Sequence, residues 1–370
     1  MTPMAATTAA VLAGAEPPKR VLVVVTRRIG DVLLATPVVR SLKQAWPDAD
    51  VDLLVFAGTE GFVTANRDVS RVLTVAERPG WVEHLKFLTA LTRRYDLALS
   101  LAPGDRPTLY AFLAGRRRIG LLEPTRKARW KERLLHAWVP FDNDHTHTVR
   151  MHLALLNSIG VAPIAEVGPS WTRDDATRAQ ALLAPLGGAR YAVMHPYPKF
   201  RYKMWTEEGW TTVARWLEEQ QLRVVLTGGP EPDERAYVAR IAAQSPGALD
   251  LSGKLTLGGV ASVVSQAALF VGPDTAITHA SAGLGVPTVA IFGPSNPVKW
   301  GPWPATQSAT ANPWKRIGSQ AVGRVRLVQG AGLCVPCGNE GCERHIASSS
   351  DCLTSLRPET VIDAIRSVLE

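Results

Sequence analysis

The sequence predicts an α/β protein made of two doubly wound units, each a parallel sheet flanked by helices, with their strand ends facing across a cleft. Short β-branched runs alternate with apolar-periodic helical stretches, the pattern of strands joined by crossover helices. That alternation occurs twice, once from residue 20 and again from residue 191. At 370 residues and 46% hydrophobic, the chain is also long and apolar enough to bury two cores.

Taken in order, Val21–Val25 reads as a buried parallel strand. It runs through Thr26-Arg-Arg-Ile-Gly-Asp31 into a helix whose apolar stripe is Val32, Leu33, Val38, Val39, Leu42 and Trp46. There Pro37 is either the first helical residue behind a Thr36 cap or a kink. Val51–Phe56 and Asp96–Leu101 are further strands. Asp142-Asn-Asp-His-Thr-His147 resembles a metal cluster but reads better as a polar loop entering a helix over Val149–Ser158. The second half begins with strand Tyr191–His195. A helix over Thr206–Gln221 follows, capped by Thr206 with Glu207 and Glu208 in its first turn. Leu222–Thr227, Ala268–Gly272 and Thr288–Phe292 are strands, with a helix over Thr275–Leu284. Pro358–Leu369 carries Val361, Ile362, Ile365, Val368 and Leu369 on one stripe and reads as a closing amphipathic helix. The expected division is 1–19 a disordered tail, 20–165 the first domain, 166–190 a linker, 191–345 the second domain and 346–370 a terminal segment.

Several function classes are excluded early. The longest apolar runs fall far short of the ~18 residues that span a bilayer. Residues 1–18 are rich in Ala and Thr with no basic residue, unlike a secretory signal. The net charge of +8 includes the clusters Arg116–Arg118 and Arg126–Arg133, which suit solvated faces or an anionic partner. No nucleic-acid-binding motif accompanies them, so no nucleic-acid partner is expected. No G-x-G-x-x-G follows the first strand and no G-x4-G-K-[ST] occurs, against dinucleotide oxidoreductases and P-loop enzymes. Cys334, Cys337, Cys342 and Cys352 are spaced C-x2-C-x4-C-x9-C. This permits zinc without matching a standard zinc spacing, so reduced thiols or a local disulfide are favoured and no cofactor is expected.

In open α/β sheets ligands sit beyond the carboxyl ends of the strands. Asp31 stands there after the first strand, where an acid stabilises a helix N-terminus or serves as a general base. Gly30 lets a ligand approach closely, and Arg28 adds charge. In the second half, Gly272-Pro-Asp-Thr275 leads into a helix whose free N–H groups suit a diphosphate. Asp274 would repel phosphate, so it caps the helix or bonds a sugar hydroxyl. His279 is either a core histidine or a ligand contact. Lys203 in the basic loop after His195 could neutralise a leaving diphosphate. An acid after Gly228-Gly229-Pro230-Glu231 could pair with ribose hydroxyls. A binding protein that keeps the fold without turnover is the non-enzymatic alternative, disfavoured by the coexistence of Asp31 and Lys203.

Arg28-Ile-Gly-Asp-Val-Leu-Leu-Ala-Thr-Pro37, Gly272-Pro-Asp-Thr-Ala-Ile-Thr-His279 and Phe292-Gly-Pro-Ser-Asn-Pro297 resemble, in that order, the signature blocks of glycosyltransferase family 9. These are the ADP-heptose:lipopolysaccharide heptosyltransferases. The cysteine block followed by Pro358-Glu359 is similar to the tail of the heptosyltransferase III-like branch. The resemblance implies a GT-B fold of two Rossmann-like domains, the first binding acceptor and the second donor, with the last helix crossing back toward the first. It implies a cytoplasmic, inner-membrane-peripheral enzyme of Gram-negative bacteria. Such an enzyme transfers heptose from a nucleotide-diphosphate sugar to an anionic lipopolysaccharide core, with inversion and without metal. It assigns the base to Asp31 and the phosphate-binding lysine to Lys203. Asp274, Thr275 and His279 surround diphosphate and sugar, and the ribose acid is Glu231, Asp233 or Glu234. Arg28, Gly30, Arg117 and Arg118 would meet the acceptor. His195-Pro-Tyr-Pro198 departs from the small hydroxyl residues common in relatives. A GT-B transferase or epimerase acting on another nucleotide sugar is the alternative.

Overall fold

A computed structural model describes residues 11–12 and 16–370. Most of the expected N-terminal tail lies outside the described residues. The chain divides into two compact units, 1–168 with 308–311, and 169–307 with 312–370.

The first unit is a six-stranded sheet of β1 (Arg20–Val24), β2 (Asp50–Phe56), β3 (Arg71–Val75), β4 (Tyr95–Ser100), β5 (Gly115–Leu122) and β6 (Ala137–Pro140). The order is β3-β2-β1-β4-β5-β6, parallel throughout. Its helices are α1 (Ile29–Leu33), α2 (Thr36–Ala45), α3 (Trp81–Leu91), α4 (Asp105–Ala114), α5 (Arg129–Glu132) and α6 (Thr148–Ala154). β1 is buried on both faces, as its unbroken Val/Leu run requires. The single helix expected around Pro37 is two. α1 ends at Leu33, Ala35 caps α2, and the Thr36 hydroxyl donates to the Leu33 carbonyl (2.7 Å) instead of capping.

The second unit opens with α7 (Arg173–Leu183), inside the expected linker. Thr172 and Asp175 close a capping box on it, and Asp175 accepts from Thr256 (2.5 Å), so this stretch is a packed layer. There follow β7 (Tyr191–Met194), α8 (Glu207–Glu219), β8 (Arg223–Leu226), α9 (Pro232–Ala243), β9 (Leu249–Asp250) and α10 (Leu257–Ser265). Next come β10 (Leu269–Pro273), α11 (Ala276–Gly283), β11 (Thr288–Phe292), α12 (Pro297–Trp300), β12 (Gln320–Val322) and β13 (Val325–Gln329). α13 (Asp351–Thr354) and α14 (Pro358–Leu369) close the chain. The sheet order is β12-β13-β11-β10-β7-β8-β9, with β12 antiparallel. The closing helix, expected to return to the first domain, is part of the second unit: Val361, Ile362 and Ile365 are buried against α8, β11 and β13.

Both sheets have a topological switch point, where strand order reverses and helices leave for opposite faces. In the first unit it lies between β1 and β4, in the second between β7 and β10. Loops at those carboxyl ends are the places a ligand enters.

Candidate active site

In the second unit the switch-point loops converge on one buried carboxylate. Asp274 follows β10, and Lys203 follows β7 in a short 3₁₀ turn over Arg201–Lys203. Lys203 Nζ lies 2.5 Å from Asp274 Oδ2, with the lysine side chain 19% exposed and the aspartate 7%. Burial pushes the Asp274 carboxyl up, but the Lys203 ammonium and a hydrogen bond from the Ser295 side chain outweigh it and hold it below its ordinary value. The site therefore keeps its anion at neutral pH. Lys203 has three donors, and one goes to Asp274.

His279 Nε2 sits 4.0 Å from Asp274 Oδ1. This is not an ion pair. Burial pushes His279 down to about 4, so the ring is neutral at pH 7 despite the neighbouring carboxylate. Its Nδ1 is buried without a hydrogen-bond partner among the described residues, an unmet polar atom beside the lysine–aspartate pair. His195, just after β7, is also pushed down to about 4 by burial, and its Nδ1 pairs with the Thr227 hydroxyl (3.0 Å).

Thr275 is the N-cap of α11, its Oγ1 accepting from the Thr278 N–H (3.4 Å). The first N–H groups of α11 have no intrahelical partners and point out of the strand end. Gly272 is required just before: a Cβ would stand 2.7 Å from the Phe270 ring. After β8, the Gly229 N–H bonds the Glu234 carboxylate, whose pKa burial raises, and a Cβ on Gly229 would approach Glu234 Oε2 to 2.6 Å. Gly228 is buried against Val238 and the same glutamate. Among the three acids left open after this turn, Glu234 is held against it, while Glu231 at the cap of α9 and Asp233 are exposed.

The Lys203 loop is fixed by residues the sequence did not single out. Ser350 Oγ donates to the Tyr202 carbonyl (2.7 Å), and Trp205 Nε1 donates to the Leu356 carbonyl (2.9 Å). Trp205 itself packs edge-on against Trp210. The tail that carries the cysteines thus buttresses the lysine. No disulfide joins Cys334, Cys337, Cys342 and Cys352; burial pushes the Cys352 thiol up to about 11, with the other three adding to the shift. No group of three or more His, Cys, Asp or Glu side chains among the described residues is placed to hold a metal ion.

In the first unit Asp31 lies in the first turn of α1, directly beyond β1, and is 9% exposed. Arg27 Nε approaches its carboxylate to 3.8 Å. Arg28 caps α1 and Gly30 lies in its first turn, on the same edge as Asp31. The structure separates Arg117 and Arg118 from this edge. They lie in the amino-terminal half of β5, opposite Leu97 and Ala98 of β4. β6 joins β5 only from Ile119 onward, with the His136 N–H donating to the Arg118 carbonyl (2.8 Å) just before it, so Arg116 and Arg117 border an open sheet edge where charged side chains are tolerated. Arg118 packs over Phe112 and bonds His136. The second cluster does lie beyond the carboxyl end of β5, but its Lys131 is buried, bonding the Pro103 carbonyl (2.7 Å) and Asp105 (2.9 Å).

Two Rossmann-like units, the second presenting a cation, a neutral histidine and a helix N-terminus at its switch point, define the GT-B class of glycosyltransferases. Residues 84–321, well over half of the chain, match the sequence model of glycosyltransferase family 9 (heptosyltransferase), and the chain belongs to that family. It is similar to lipopolysaccharide heptosyltransferase 3 of Escherichia coli K12, at 28% identity over 74% of this chain and 82% of the relative. Among solved structures, the family 9 glycosyl transferase of Veillonella parvula superposes with a TM-score of 0.75 at 19% identity, over 95% of this chain and 97% of its own. The E. coli ADP-heptose lps heptosyltransferase II does so with 0.72 at 17%, over 95% and 98%. The family match takes in Lys203, Asp274, Thr275 and His279; Asp31 precedes it.

Proposed function

We propose that this glycosyltransferase moves heptose from ADP-heptose onto the core of lipopolysaccharide, inverting the anomeric carbon and using no metal ion. The acceptor hydroxyl gives its proton to the Asp31 carboxylate, and its oxygen bonds to C1 of the heptose. The C1–O bond to the diphosphate breaks with its electron pair, and ADP departs. Attack opposite the leaving group inverts C1. Lys203 and the N–H groups at the start of α11 meet the charge that builds on ADP, the role a divalent cation plays in other transferases. Asp274, anionic and fixed by Lys203, takes a sugar hydroxyl, and neutral His279 offers a hydrogen bond. Glu231 or a neighbouring acid after the Gly228-Gly229 turn meets the ribose. The enzyme works at the inner face of the cytoplasmic membrane; among the described residues no helix is long and apolar enough to cross one.

The observation that carries this reading is the Lys203–Asp274–His279 group beside the α11 N-terminus. Incubation with ADP-heptose and a truncated core acceptor, read by mass spectrometry, should show one added heptose. Addition from another nucleotide sugar and none from ADP-heptose would overturn the donor assignment.

A further inference from the structure

The exposed large apolar side chains are unevenly placed. Trp81 (80% exposed), Val82, Leu85, Leu109 and Trp130 all belong to the first unit; Ile317, Leu333 and Ile346 are scattered through loops of the second. α3 follows the carboxyl end of β3, so its first turns stand on the edge of the sheet that carries Asp31. His84, Phe87, Leu88 and Leu91 form the inward stripe of α3, with His84 bonding the Tyr110 hydroxyl (2.9 Å) and Phe87 packing edge-on against the same ring. The outward face carries Trp81, Val82 and Leu85, where a solvated helix would carry polar residues. Trp130 lies in α5, beyond the carboxyl end of β5, and Leu109 in α4 between the two.

These segments are tied into one surface. Arg106 at the start of α4 donates to the Glu77 carbonyl (2.7 Å) in the loop before α3. Lys131 of α5 reaches back to Pro103 and Asp105 at the same helix start. The charge on this surface is cationic: Arg126, Lys127, Arg129 and Arg133 are exposed around Trp130, against Glu123 and Glu132, and Arg78 and Lys86 flank Trp81, against Glu77 and Glu83.

We propose that this edge, from Trp81 on α3 to Trp130 on α5, docks on an anionic lipid bilayer. Indole rings settle at the headgroup level, small apolar side chains enter the acyl boundary, and arginine and lysine pair with lipid phosphates. The inference rests on the reading above, in which the acceptor is a membrane-anchored saccharide. Docking through this edge brings the Asp31 side of the sheet to that saccharide.

The full chain would be sedimented with vesicles of phosphatidylethanolamine and phosphatidylglycerol, and separately with phosphatidylcholine vesicles. The wild type should partition onto the anionic vesicles. The Trp81→Ser/Leu85→Ser pair should lower that partition by about tenfold or more, at unchanged melting temperature and unchanged turnover on a delipidated, water-soluble acceptor. Arg126→Gln/Lys127→Gln should erase the preference for anionic over zwitterionic vesicles. Equal partition of Trp81→Ser/Leu85→Ser and wild type would overturn the proposal. So would a wild-type dimer in sedimentation velocity that the same pair dissolves, which would assign the face to a second copy. If vesicle binding behaves as expected but no variant or wild type transfers heptose to the soluble acceptor, the surface stands and the functional reading fails.

Discussion

The two units solve the same topological problem with different amounts of chemistry. Each places its candidate residues at the reversal of strand order, between β1 and β4 or between β7 and β10. The second unit brings Lys203, Asp274 and Ser295 together from the loops after β7, β10 and β11, with His279 of α11 4.0 Å from Asp274 and the tail holding the lysine loop from behind. The first unit places Asp31 beyond β1 in a five-residue helix with Arg27 beside it, and Asp105 beyond β4 paired with Lys131. A prearranged set of dipoles and charges suits stabilisation of a departing diphosphate. A carboxylate such as Asp31, at the start of a helix beyond a strand end, suits proton removal from an acceptor hydroxyl. On the proposed function, the difference between the units is a division of labour.

The largest expected effect breaks the first side of that comparison. Asp31→Asn should lower turnover on the order of 10²–10⁴-fold, measured by ADP release, because it removes the base while keeping the shape. On the second side, Lys203→Ala should lower turnover on the order of 10²–10³-fold. It also strands Asp274 as a buried, unpaired carboxylate, which should destabilise the fold by roughly 2–3 kcal/mol, below the value for a fully buried pair because Lys203 is part-exposed. Lys203→Ala/Asp274→Asn should recover the stability in urea unfolding but not the activity.

The pH dependence of stability tests the second unit separately, because His195 and His279 both lie in it and burial pushes both down. His195 and His279 bind protons at about 4 when folded and near 6.5 when unfolded, so the unfolded state binds more protons between those values. Stability should be flat above pH 6.5 and fall as pH is lowered toward 4, by up to roughly 3 kcal/mol per histidine. His195→Gln should reduce that slope in denaturant titrations at pH 7, 5.5 and 4.5. The smallest effect concerns the arginines displaced from the acceptor edge. Arg118→Ala should leave turnover unchanged and destabilise by about 0.5–1 kcal/mol through the lost contact with Phe112; a marked rise in acceptor KM would restore its assignment.

The strand-end residues were legible because their local signals are strong: a β-branched run, a glycine or proline break, then a capping residue, as in Val271-Gly-Pro-Asp-Thr275. Residues 166–190 read as a linker because α7 has little apolar surface, although Thr172 and Asp175 were a readable capping box. Three consecutive arginines hid β5, whose exposed amino end reads like a loop. The buttressing of Lys203 by Ser350 and Leu356 lies 148 and more residues away along the chain, beyond any local pattern. What sequence spacing conveyed was which groups stand at strand ends; which of them are neutral, paired or held in place is a property of packing.

Calorimetric titration of ADP into three proteins tests the division of labour most directly. Asp31→Asn should bind ADP as tightly as the wild type, and Lys203→Ala at least about tenfold more weakly, the loss of one charge-assisted phosphate contact. Wild-type affinity in Lys203→Ala, or a loss of affinity in Asp31→Asn, would contradict the assignment of donor binding to the second unit.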